Sequence, residues 1–79
     1  MYKRQGLDST HSQLYRSLLE KEQWSRKEAT ELCGNLNLML GGALEVINDW
    51  SYAVVDAPVL DDADDDIWVD LEIAKELEG

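Results

Sequence analysis

The residues with the most evident chemical potential are carboxylates. Five aspartates fall within six positions, Asp61-Asp62-Ala63-Asp64-Asp65-Asp66. Glu45 and Asp49 are four apart, which on a helix is one turn and puts both on one face. Oxygen-rich clusters suit hard cations such as calcium or magnesium. Residues 61–72 have the length of an EF-hand loop, with Asp first and Glu last. The match fails inside it. Ala63 stands where a ligand belongs, and Asp66 stands where a glycine must turn the chain. This leaves Glu45 and Asp49 as candidate metal ligands and the aspartate run as a weak divalent site. The competing reading is that both groups are only solvated.

Nucleophilic chemistry has little to work with. Cys33 is the sole cysteine and His11 the sole histidine. One cysteine allows no disulfide within the chain. Cys33 shares a helical stripe with Ala29, Leu32 and Leu36, so it reads as core. Gly41-Gly42 alone is a helix break rather than a phosphate cradle. With no Ser/His/Asp set, glycine-rich loop or zinc spacing, the expectation is a non-enzyme with no cofactor and no small-molecule substrate.

Charge narrows the partners. The net charge is −10 over 79 residues. Residues 1–58 hold eight acids and six bases, whereas residues 59–79 hold nine acids against Lys75. The first three quarters of the chain is thus nearly neutral and the last quarter is an acidic block. Such a block repels phosphate backbones and favours cations or basic protein surfaces. No apolar run approaches the roughly 20 residues of a membrane span, and residues 1–6 have no apolar stretch behind them. A cytoplasmic protein without membrane insertion is expected.

These residues need a scaffold to position them. Residues 1–8 are polar and read as a flexible lead-in to one domain over 9–79. A first helix is expected over about 9–22, capped by Thr10 with Gln13, with Leu14 and Leu18 on its buried stripe. Ser25 and Glu28 form a second capping box before a helix from Arg26, with Trp24 packing back on its first turn. After the Gly41-Gly42 break, a third helix should run over 43–55. Leu44, Ile47, Ser51 and Val54 would line its inner side, and Glu45, Asn48, Asp49, Tyr52 and Asp56 its outer side. Pro58 forbids continuation. The runs Val59-Leu60 and Ile67-Trp68-Val69 flank the acidic turn and predict a β-hairpin near residues 58–70. Asp70 should cap a last short helix, Leu71 to Glu78, held by Ile73, Ala74 and Leu77.

The expected fold is therefore mainly α with a small hairpin, laid out like a winged helix. A helical bundle with a long acidic loop is the alternative. A winged helix normally raises DNA binding, but here the relevant charges are inverted. Residues 41–56 hold no Lys or Arg, and the wing tip carries five aspartates. Phosphate binding needs cations at those places, so no nucleic acid is expected.

The segment Leu38-Met39-Leu40-Gly41-Gly42-Ala43-Leu44-Glu45-Val46-Ile47-Asn48-Asp49-Trp50-Ser51 carries a further signal. With Asp56-Ala57-Pro58-Val59-Leu60 and Ile67-Trp68-Val69-Asp70, it resembles the TerB-C domain. The resemblance spans about residues 24–77. TerB-C is the C-terminal region found with TerB-type domains in tellurite-resistance and stress-response proteins. The resemblance implies an accessory module of a larger bacterial protein whose acidic residues chelate metal. The matching positions are Glu45, Asn48, Asp49 and Asp56. No TerB-type domain precedes this one in the sequence, so the expectation is a piece of a larger protein.

Three functions follow as expectations. The first is a protein-interaction module of a bacterial stress-response or defence protein. It would bind a protein partner, or other domains of its parent, through Asp61, Asp62, Asp64, Asp65 and Asp66. Trp68 would be its anchor if it faces outward, and core if it faces inward. The second is a divalent-metal-binding domain. The third is a DNA mimic whose carboxylates imitate phosphates.

Overall fold

The computed structural model describes residues 7–63 and 65–78. Helix α1, Ser9–Leu18, is capped by Asp8 rather than by the expected Thr10. Asp8 is extended, and its carboxylate accepts from the His11 backbone N–H. It also pairs with the His11 ring, which holds its carboxyl below the usual range. A negative cap complements the positive end of a helix, so Asp8 prevails over a hydroxyl two residues later. Leu7 packs against the core, so the domain begins inside the expected flexible segment. Residues 1–6 of that segment lie outside the described residues.

The first helix also ends four residues earlier than expected, because the chain there is needed for a strand. Strand β1, Gln23–Ser25, pairs with a partner more than forty positions away. Trp24 lies buried in it. Its indole N–H donates to the carbonyl of Leu18, the last residue of α1, and to that of Lys21 just beyond the helix.

Helix α2, Arg26–Asn35, starts with the expected box. Ser25 accepts from the Glu28 N–H, and the Glu28 carboxylate accepts from the Ser25 N–H. That bond, with the Lys21 ammonium second, holds the Glu28 carboxyl below its usual range. Asn37 takes the left-handed conformation, φ 60°, that closes this helix. Asn37 N–H then meets Gly34 O, and Leu38 N–H meets Cys33 O, the pairing of a Schellman stop.

Helix α3, Leu40–Val55, takes in the two glycines expected to break it. They sit in its first turn, where several N–H groups lack intrahelical partners in any case, and buried Leu40 anchors the added turn. The earlier start is accompanied by a shifted inner stripe. Leu40, Ala43, Leu44, Ile47 and Ser51 are buried, while Val54, expected inside, is 52% exposed. Trp50 and Tyr15 pack with their rings nearly perpendicular, 5.3 Å between centroids. Burial, with the Glu78 carboxylate second, raises the Tyr15 phenol. Asp56 closes α3 in the left-handed conformation, and the Ser51 hydroxyl donates to Ala57 O before Pro58.

Strands β2, Leu60–Ala63, and β3, Asp66–Val69, form the expected hairpin. With β1 they make a three-stranded antiparallel sheet in the order β1-β3-β2. Leu60, Ile67, Val69 and Trp24 are its buried members. Helix α4, Leu71–Glu78, begins as expected at Asp70, which accepts from the N–H groups of Glu72 and Ile73. Ala74 is buried, and Ile73 and Leu77 lie against the core. The architecture is mainly helical with a small sheet, and the helices and hairpin stand in the order a winged helix uses. Among the described residues no helix is long and apolar enough to cross a membrane.

Gly34 lies within α2, and a Cβ there would meet nothing within 4 Å. Gly34→Ala should therefore raise stability by about 0.5–1 kcal/mol, read as a higher urea midpoint. A lower midpoint would show that the position needs glycine.

Candidate functional site

Strand alternation divides the aspartate run. Asp61 lies opposite Trp68, and Asp62 lies opposite buried Ile67, so the two point to opposite faces of the sheet. Asp62 pairs with the Arg26 guanidinium. Asp65 accepts the Arg26 N–H through its backbone carbonyl. Asp66 accepts from the Gln23 side chain across the β1–β3 pair. Asp64 lies outside the described residues. The run is thus spread over a hairpin, where an EF-hand would need it wrapped around one point.

Of the α3 candidates, Glu45 and Asp49 stay together one turn apart, and the other two are placed elsewhere. Glu45 and Asp49 are exposed on the helix. Asp56 is the left-handed cap of that helix. Asn48 is committed elsewhere. Its Nδ2 donates to Leu60 O and its Oδ1 accepts from Leu60 N–H, both at 2.9 Å. Among the described residues no group of three or more His, Cys, Asp or Glu side chains is placed to hold a metal ion. Cys33 is buried, and burial pushes its thiol up, which keeps it protonated at neutral pH.

What the fold does assemble is an acidic hollow on the outer side of the sheet. It measures about 420 Å³ and is lined by Glu22, Asp61, Trp68, Val69, Asp70, Leu71 and Glu72. Trp68 faces outward and is 41% exposed, as is Leu71. This decides the two readings of Trp68 in favour of the surface. Asp61 stands directly across from it on β2, and Gln23 on β1. Sequence reasoning found Asp61 and Trp68 but missed the other members. Glu22 reaches the site only because β1 pairs with β3, and the Val69 N–H bond to Glu22 O fixes it there. Asp70, Leu71 and Glu72 were legible as a helix start, and that start forms one wall of the hollow.

The whole chain can be compared with known families. The family model described as the TerB-C domain matches residues 2–78. The chain belongs to the TerB-C family. The match extends beyond residues 24–77 to include α1, so the helix that anchors Trp24 is part of the TerB-C domain. No curated protein and no solved structure matches the chain. Within this TerB-C domain, of the four positions carried over from the resemblance, Glu45, Asp49 and Asp56 lie exposed, Asp56 as the left-handed cap of α3, while the Asn48 side chain is bonded to the Leu60 backbone.

Two measurements separate structural from binding roles. Asn48→Ala strands two backbone groups and should lower stability by about 2 kcal/mol in urea denaturation, whereas Glu45→Ala and Asp49→Ala should leave it nearly unchanged. Equal effects at all three would refute this division. Cys33 should label slowly with a thiol reagent in the native domain and quickly in denaturant. Fast native labelling would contradict its burial.

Proposed function

We propose that this TerB-C domain is a non-catalytic interaction module of a larger bacterial stress-response protein of the tellurite-resistance type, working in the cytoplasm. The observation that carries the reading is Trp68. An indole 41% exposed on a strand, beside an exposed leucine and several carboxylates, has the composition of a contact surface. A DNA mimic would instead spread its negative charge widely, and here nine of the 17 acids fall in residues 59–79.

The test is to label the domain for NMR and add the remaining domains of its parent protein and the products of neighbouring coding sequences. The expected result is a saturable shift of the Trp68 indole and the Leu71 amide by at least one of them. A partner that shifts only α3, or no partner at all, would sink the proposal. Calcium and magnesium at millimolar concentration should raise the melting temperature no more than sodium chloride of equal ionic strength does. A larger, saturable rise would favour the metal-binding alternative.

A further inference from the structure

We propose that the Trp68 hollow receives an arginine side chain from an extended basic segment of a protein partner. The inference rests on the interaction-module reading and adds to it the chemistry of the partner.

The lining supplies the groups a guanidinium needs. Trp68 offers a partly exposed indole, and Asp61 stands across the strand pair from it. Glu22, Asp70 and Glu72 complete an acidic rim, while Leu71 and Val69 give apolar surface for a methylene stem. No Lys or Arg is among the lining residues. Asp70 is held in place by its bonds to the N–H groups of Glu72 and Ile73, so part of the rim is fixed before any ligand arrives.

The same domain contains an internal version of this arrangement. Lys21 Nζ lies 4.4 Å from the centroid of the Trp24 ring and 3.0 Å from the Glu28 carboxylate. One indole and one carboxylate there hold a cation supplied by the chain itself. At Trp68 the indole and the carboxylates recur, and the lining supplies no cation. Charge complementarity therefore selects a basic occupant. The planar shape of the guanidinium selects arginine, which can stack on an indole while donating two parallel bonds to a carboxylate. A lysine ammonium is a compact, strongly hydrated point charge and gains less from both contacts.

The test uses the whole chain, uniformly labelled with nitrogen-15, and three acetylated, amidated peptides, Gly-Arg-Gly, Gly-Lys-Gly and Gly-citrulline-Gly, at constant ionic strength. Citrulline keeps the shape of arginine and removes its charge. The Trp68 indole resonance is assigned with Trp68→Phe. The arginine peptide should shift that resonance and the Leu71 amide saturably, with a dissociation constant of about 1 mM. The citrulline peptide should bind at least about tenfold more weakly. Asp61→Asn combined with Glu72→Gln should weaken arginine binding by a similar factor. Both positions are exposed, and unchanged amide dispersion will show that the double variant folds.

No saturable shift with arginine up to about 10 mM, or equal binding of arginine and citrulline, overturns the proposal. Equal binding of lysine overturns its selection of a planar cation. If the peptides fail while a parent domain shifts Trp68, the interaction-module reading stands without this inference. If arginine binds while no parent domain does, the site stands and that reading falls.

Discussion

The indole N–H of Trp24 lies between two carbonyls, those of Leu18 and Lys21, and much of the domain follows from that placement. It gives polar partners to the end of α1, where a helix otherwise leaves carbonyls open. It holds the chain extended through residues 23–25, so that β1 can pair with β3. It brings Ser25 to the position from which α2 is capped. The buried face of the sheet then closes on Trp24, Ile67 and Val69, and the opposite face is left to Gln23, Asp61 and Trp68. Core and outer surface are thus two sides of one strand pairing.

Apart from the α1 cap, which is Asp8 and not Thr10, elements specified by neighbouring residues could be read from the sequence, and those specified by distant ones could not. The Ser25–Glu28 box, the Asp70 cap and the stop at Pro58 are local chemistry, and each lies where the sequence places it. The hairpin is legible because both strands and their turn are contiguous. Strand β1 has only three residues and no alternating run of its own, and its conformation depends on the pairing with β3 together with the Trp24 indole bonds. Without it the first helix reads as too long. Gly41-Gly42 misleads for a related reason. Composition suggests a break, while the burial of Leu40 in the assembled core extends the helix through both glycines.

The acidic surface follows the same division. The aspartate run is conspicuous in sequence, yet strand alternation sends its members to different faces and different partners, as with Asp62 and Arg26. The hollow at Trp68 is built instead from residues contributed by three places in the chain, and only Asp61 of that run lines it. Counting acids located the right region. It did not identify which carboxylates share a surface with the exposed indole.

The two bonds from the Asn48 side chain to Leu60 have a consequence for solubility. Strand β2 is an edge of the sheet, and an edge presents backbone N–H and C=O groups on which another chain can pair. The primary amide of Asn48 has the same donor and acceptor as a peptide group, so at Leu60 it occupies the place of a neighbouring strand. Beyond Leu60 the edge continues into Asp61 and Asp62, whose like charges oppose the approach of a second copy. A side chain from α3 and the acidity of the hairpin thereby guard consecutive stretches of one open edge. The most conspicuous charges in the sequence thus act against self-association, whatever else they bind.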